Sequence, residues 1–197
     1  MIPIFGTRVN EVVFYTVFSV FYGVDFILTY GVPLVRRRLR KKRDRTFTIL
    51  LLSLFLTAYF SFFFGYFSYY TGIGELPLPF LYVGLALIVI GESFRIWAIL
   101  TLDRYFSPII TIYSDHKVVT WGPYRLVRHP AYGGSIISFL GIALASRSVF
   151  SLLLVLIDVA VYDYRAKAEE KLLIESLGDE YVNYRSRVRK KFIPFIF

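Results

Sequence analysis

Residues 46–74 contain no charged side chain. A helix needs about 20 mostly apolar residues to cross a bilayer, and this run is longer than that. Residues 12–35 form a second such run, interrupted only by Asp25, and residues 80–102 a third, broken by Glu92 and Arg95. Residues 130–146 are uncharged, and after Arg147 a last apolar run, 148–164, carries Asp158 and Asp163. These last two runs are short and read as a hairpin of two helices that barely crosses the bilayer. A chain of 197 residues with 56% hydrophobic and 19% aromatic side chains has more apolar surface than a small soluble core can bury, so lipid is its natural solvent. The expected fold is an all-α integral membrane protein. It has about five transmembrane helices and a C-terminal cytoplasmic helical tail, in a single domain spanning 1–197.

Charge sets the orientation. The net charge is +9, with 23 Lys and Arg. The segment RRRLRKKRDR, residues 36–45, holds eight of them, residues 103–129 hold four, and the tail from Arg165 holds eight. Basic loops stay on the cytoplasmic side. Five spans put all three segments there, with the N-terminus outside and the C-terminus in the cytoplasm. The opposite face carries only Arg8, Glu75 and Arg147. Because the basic residues flank apolar runs, anionic lipid headgroups are their expected partners, and nucleic acid is not. The final VRKKFIPFIF mixes cations with Phe and Ile, a composition suited to the lipid interface. The opening residues do not read as a cleavable signal, since no basic run precedes a short apolar core.

There are no cysteines and only two histidines, His116 and His129. Disulfides, thiolate chemistry and Cys or His-rich metal sites are excluded on that count, and no metal is expected. No phosphate-binding loop, dinucleotide glycine fingerprint, nucleophilic triad or internal repeat is present.

Two segments carry the chemistry. In SDHKVVTWGPYRLVRHPAYGG, residues 114–134, Trp121-Gly122-Pro123 is a turn signal. Pro130 fits the first turn of a helix and restricts His129 before it. Arg128 and His129 thus sit where a loop enters the membrane. The helix N-terminus there could offer N–H groups to an anionic ligand, or the two side chains could simply be interfacial anchors; both readings stand. In the second segment Asp158, Tyr162, Arg165 and Glu169 are spaced by 4, 3 and 4 and share one helix face. Ionisable groups at membrane depth usually face an interior or a cavity, and the depth of Asp158 favours a polar cavity. Glu92 and Arg95, three apart, are expected to pair with each other. Asp25 either lines the same cavity or hydrogen-bonds Tyr22 or Thr29.

These segments read H-x-V-V-x-x-G-P-Y-R-x-V-R-H-P-x-Y-x-G from His116 to Gly134, and R-x-x-x-E-E-x-x-L-x-x-x-x-G-D-E-Y-x-x-Y from Arg165 to Tyr184. In pattern, order and separation they resemble the isoprenylcysteine carboxyl methyltransferase family. The resemblance covers about residues 103–194. It implies a membrane methyltransferase that uses S-adenosyl-L-methionine, with three spans in 1–102 and the cofactor-binding catalytic region in 103–197. Carried over by position, His116, Lys117, Val118, Val119, Tyr124, His129, Pro130, Ala131 and Tyr132 line the cofactor pocket, and Glu169 completes it. Arg165 stands near the methyl acceptor, where a cation can orient a carboxylate. Arg128 and His129 suit the cofactor's carboxylate through charge-assisted bonds, and Tyr124 and Tyr132 offer faces for adenine or the sulfonium. The implied acceptor is lipophilic, most simply the carboxylate of an isoprenylcysteine. The chain departs from the family pattern at Ile109, where some members are polar, and in an acidic run reduced to Glu169-Glu170. A phospholipid amine is an alternative acceptor. An NADPH-dependent sterol-type membrane reductase, which shares an RHPxY-like element, is an alternative enzyme, and a non-enzymatic membrane scaffold a third class.

Overall fold

The computed structural model describes residues 3–31, 44–112 and 115–193. Among these the regular elements are helices, joined by turns and extended segments, with one isolated bridge between Glu75 and Ser148. Helix α1 (Arg8–Phe26) is capped by Thr7, whose hydroxyl accepts the Asn10 N–H at 3.2 Å, and it runs on as a wider turn through Gly31. Helix α2 (Arg45–Thr71) starts on Asp44, whose Oδ1 accepts the Thr46 and Phe47 N–H groups at 3.0 and 3.2 Å. It stops at Gly72, which takes the left-handed conformation that ends many helices. Helices α3 (Pro79–Leu102) and α4 (Pro130–Ala145) each begin on a proline, which gives up an N–H that would be unpaired anyway. Helix α5 (Val149–Leu177) is continuous from the apolar run into the charged segment. Gly178 separates it from the short α6 (Asp179–Arg187).

The stretches through α1, α2 and α3 are long and apolar enough to span a membrane. Helix α4, at 16 residues, reaches only about 24 Å. Large apolar side chains such as Phe55, Leu153 and Leu156 point outward, the arrangement lipid allows and water penalises. The protein is an integral membrane protein.

Helices α3 and α4 make the closest contact, back to back. The reason is a pair of matched glycines. A Cβ on Gly84 would stand 2.5 Å from the Gly141 carbonyl, and one on Gly91 would stand 2.6 Å from the Gly134 carbonyl. Within lipid no hydrophobic effect drives helices together, so small residues that bring backbones into contact carry the association. Replacing Gly91 with valine forces these backbones apart. The expected cost is about 1–3 kcal/mol, read as a lower melting temperature in detergent; an unchanged melting temperature would remove the glycine argument.

The two ends of the bundle differ. At one end Arg147 donates to Glu75 (2.6 Å) and to the Leu76 and Ile4 carbonyls (2.9 and 3.0 Å), so the two charges that the sequence places in those turns neutralise each other. The other end gathers Asp44, residues 103–131, the charged half of α5, and α6. The basic segment 36–45 lies, apart from Asp44 and Arg45, outside the described residues. The tail does not end as a free interfacial strand over its described length. Phe192 is fully buried in a cluster with Leu50, Ile136, Tyr162 and Ala166; Pro194–Phe197 lie outside the described residues.

Candidate functional site

The loop between α3 and α4 folds back over the end of the bundle. Gly122, at φ 58°, lets a short helical turn (Gly122–Arg125) sit against Thr101 at the end of α3. That turn buries Tyr124, whose carbonyl accepts the Tyr184 hydroxyl at 2.7 Å. The loop is thereby pinned between α3 and α6.

Beneath it lies an ion cluster. Glu170, almost fully buried, accepts from Arg128 Nε at 2.8 Å, contacts His129 Nε2 at 3.1 Å and is approached by Arg185 at 3.5 Å. Burial pushes the Glu170 carboxyl up. The hydrogen bonds from His129 and Arg128 outweigh it and hold the group down to about 2. For His129 the balance has the opposite sense: burial disfavours its charge, but Glu169 and Glu170 raise its pKa above the usual value. The remaining donors here go to the tail. Arg128 Nη1 donates to the Val188 and Arg189 carbonyls at 3.0 and 2.6 Å. The backbone N–H groups of Arg128 and His129 donate to the Lys190 and Lys191 carbonyls at 3.0 and 2.8 Å. Gly133 meets the Phe192 carbonyl so closely that no side chain fits between them.

A relay of polar contacts leads from this cluster to Arg165. Glu169 Oε2 lies 3.6 Å from His129 Nδ1 and accepts the Tyr132 hydroxyl at 2.7 Å. The same hydroxyl accepts Arg165 Nε at 3.0 Å. The His129 and Tyr132 rings stack 5.4 Å apart. Burial raises the Glu169 carboxyl, but His129, Tyr132 and Arg165 together hold it below its ordinary range. Arg165, only 2% exposed, spends its other nitrogens on Asp44 (3.2 Å), Thr46 (2.8 Å) and the Pro108 carbonyl (2.6 Å). Asp44 also accepts the Ile110 N–H at 3.0 Å. Its carboxyl is raised by burial but lowered further by Ile110, Thr46 and Arg165, to about 2. An extended strap, residues 106–112, is therefore fastened at two points.

Two cavities meet at this relay. The outer one is lined by the strap, the loop, α4, α5 and α6; the inner one lies among α1, α2, α3, α4 and α5. Phe106, Ser107, Tyr132 and Arg165 line both and form the wall between them. Of the residues expected to bind a cofactor, His116, Val118, Val119, Tyr124, Arg128, His129, Ala131, Tyr132 and Glu169 line the outer cavity. Lys117 and Pro130 do not line it. Arg128 reaches the wall, but its donors are held by Glu170 and the tail carbonyls. The open helix N-terminus expected at His129 is likewise closed by the tail.

Two expectations change, those for Arg95 and Asp158. Arg95 pairs with Asp25 (2.7 Å), not with Glu92, because α1 crosses α3 there and brings a carboxylate into line with its guanidinium. Asp25 thus does line the inner cavity, and its principal partner is that arginine. Asp158 is fully buried but lines neither cavity. Arg165 and Glu169 do not pair directly; Tyr132 stands between them. Sequence reasoning missed the strap and Leu173, Leu177, Tyr181 and Tyr184, which also line the outer cavity. The motif tyrosines carried a usable signal; the strap, irregular and weakly patterned, carried none. Ile109, noted as a departure, does lie on the cavity wall.

Two buried atoms on this wall, His116 Nδ1 and Tyr181 Oη, have no hydrogen-bond partner. Buried polar groups are nearly always satisfied, so both mark the outer cavity as a place for a polar ligand.

Known proteins resemble this chain in sequence and in fold. Residues 84–175 match the model of the isoprenylcysteine carboxyl methyltransferase (ICMT) family. A probable protein-S-isoprenylcysteine O-methyltransferase of Oryza sativa subsp. indica is 36% identical over 118 residues, which is 58% of this chain and 61% of that protein. The protein-S-isoprenylcysteine O-methyltransferase of Saccharomyces cerevisiae is 33% identical over 117 residues, 58% of this chain and 48% of that one. The matches thus span about half to three-fifths of those relatives' length. The structure of the eukaryotic intramembrane Ras methyltransferase ICMT superposes with a TM-score of 0.65 at 23% identity, covering 91% of this chain and 64% of that one. Over residues 84–175, which include the loop, α4 and the charged half of α5, this chain is similar to the ICMT family.

Proposed function

We propose that this protein transfers a methyl group from S-adenosyl-L-methionine to the carboxylate of an isoprenylcysteine-type acceptor, carried by a lipidated protein or a small lipophilic molecule. The observation that carries the reading is the shared wall: a water-side cavity with unsatisfied polar atoms and a membrane-side cavity meet at Arg165 and Tyr132. That is the geometry a reaction between one soluble and one lipophilic substrate requires.

The outer cavity suits the cofactor. Glu169, held ionised, is a partner for a cationic or hydroxyl-bearing part, and His116 Nδ1 and Tyr181 Oη are open to a further polar contact. Burial lowers the pKa of His116, so at neutral pH its imidazole is uncharged and can accept or donate. Tyr105, Tyr124 and Tyr132 supply flat aromatic walls. When bound, the cofactor supplies a methyl group already activated on a sulfonium. The acceptor carboxylate is ionised near neutrality and needs no base, which is consistent with a site built of positioning groups. Arg165 would hold that carboxylate, and Tyr132 fixes the guanidinium plane that receives it. The strap and loop cover the outer cavity and keep water from the junction.

The topology follows the same reading. Helices α1, α2 and α3 are the first three spans, and α4 with the first half of α5 makes the fourth and fifth. The N-terminus is outside, and the site and the C-terminus are cytoplasmic.

The decisive experiment uses purified protein in lipid nanodiscs. Titration calorimetry should show binding of S-adenosyl-L-methionine, and label from its methyl group should pass to an S-farnesylcysteine derivative as a base-labile ester. Absence of both would overturn the proposal. A base-stable product would instead indicate an amine acceptor. Glu169→Ala removes the Tyr132 partner and the cavity's exposed carboxylate, and is expected to weaken cofactor binding at least about tenfold.

A further inference from the structure

The inner cavity is not a plain hydrocarbon slot. Leu51, Leu54 and Phe139 give it apolar walls, but Glu92 also lines it. Glu92 lies ten residues before the end of α3, about 15 Å inside the bundle. It is 1% exposed, and its Oε2 has no hydrogen-bond partner. The nearby cation does not satisfy it. Arg95 spends its donors on Asp25 (2.7 Å), Thr29 (3.3 Å) and the Ala131 carbonyl (3.4 Å). Ser138, joined to Tyr22 at 2.7 Å, also hydrogen-bonds the Glu92 carboxyl, and Oε2 alone is left without a partner. One carboxyl oxygen is thus left without a partner beside a chamber whose leucine and phenylalanine walls are interrupted by Asp25, Thr29, Arg95, Ser135 and Arg165.

Such an oxygen is costly at membrane depth, and its position on a cavity wall points to a partner that arrives from outside. The partner must hydrogen-bond a buried carboxyl, as a hydroxyl does whether the carboxyl accepts or donates, and must itself be lipophilic enough to occupy a chamber among spanning helices. We propose that this chamber selects acceptors whose hydrocarbon tail carries a hydroxyl or ammonium group, and that Glu92 receives it. The inference rests on the methyl-transfer reading only in taking the occupant to be the acceptor; the donor-bearing tail is read from Glu92 itself.

Sites that hydrogen-bond a substrate group reject analogues lacking it, because the buried polar atom is then unpaired. The test compares S-farnesylcysteine with an analogue bearing a hydroxyl on the terminal carbon of the farnesyl chain, using the full chain in nanodiscs. The wild type should favour the hydroxylated acceptor about tenfold in kcat/KM. Glu92→Leu should abolish that preference, and Glu92→Gln, whose amide oxygen still accepts, should keep part of it. Binding of S-adenosylhomocysteine should be the same in all three, showing that the variants fold. No preference in the wild type, as water filling the chamber would give, overturns the proposal, and so does a preference that survives in Glu92→Leu. If neither acceptor is methylated, the methyl-transfer reading fails, and the chamber is tested by photolabelling. A diazirine-bearing pentadecanol should then label the chamber more strongly than its pentadecane counterpart, and Glu92→Leu should remove the difference. Equal labelling of the wild type by both would refute the selection.

Discussion

Replacing Arg165 with alanine should lower turnover by at least about a hundredfold while S-adenosylhomocysteine still binds within a few-fold, since removing a positioned charge that acts on the reacting group costs on this scale. Arg165 makes its contacts along the wall between the cavities, not inside the outer one. Its guanidinium touches Tyr132, Asp44, Thr46 and the Pro108 carbonyl. An acceptor carboxylate that reaches Arg165 must take over part of what Asp44 now holds. The alanine variant loses that exchange and also leaves Asp44 without its cation, so a lower melting temperature should accompany the lost turnover. Lysine in its place keeps the charge but not the planar fork that serves several partners at once, and turnover should remain far below wild type. Near-normal kinetics in either variant would take Arg165 out of the reaction.

The second large effect is on stability. Glu170→Ala leaves Arg128 and His129 buried without their carboxylate, and removing one partner of a buried ion cluster costs about 3–5 kcal/mol. The pH dependence has a definite sign. The Glu170 carboxyl is lower in the folded protein, at about 2 against an ordinary 4.5, so its contribution is complete above about 4.5 and is lost as pH falls from there toward 2. His129 is raised, so its contribution is complete below its ordinary 6.5 and is lost as pH rises through the raised value. The melting temperature of the wild type should therefore fall on both the acid and the alkaline side of a plateau between about 4.5 and 6.5. In Glu170→Ala both limbs should flatten. A variant that melts like the wild type across this range would show that the cluster contributes nothing net.

The parts of this fold that were legible are those encoded by local periodicity. The charge-free run at 46–74 announces α2, and Pro79 and Pro130 mark where α3 and α4 begin. The 4, 3, 4 spacing of Asp158, Tyr162, Arg165 and Glu169 places them on one inward face of α5. Most of the cavity wall could be found because its motif residues cluster within two short segments. What was not legible is pairing at long range. Arg165 meets Asp44 across 121 positions and Arg95 meets Asp25 across 70, whereas spacing alone offers Glu169 and Glu92 as the near partners. The tail is a similar case. Its Phe and Lys content suits a lipid interface, and nothing local shows that its carbonyls close the start of α4.

That closure has a consequence for how the molecule is made. The chain is synthesised from its N-terminus, and α1 through α5 precede the 188–192 segment. All membrane segments can therefore be inserted while Arg128, the His129 N–H and the groove beside Gly133 still lack their partners. Closure of the outer cavity is then a separate docking event at the membrane surface, after insertion is complete. A chain truncated before residue 188 should therefore keep its helical bundle and leave the outer cavity without the contacts that close it.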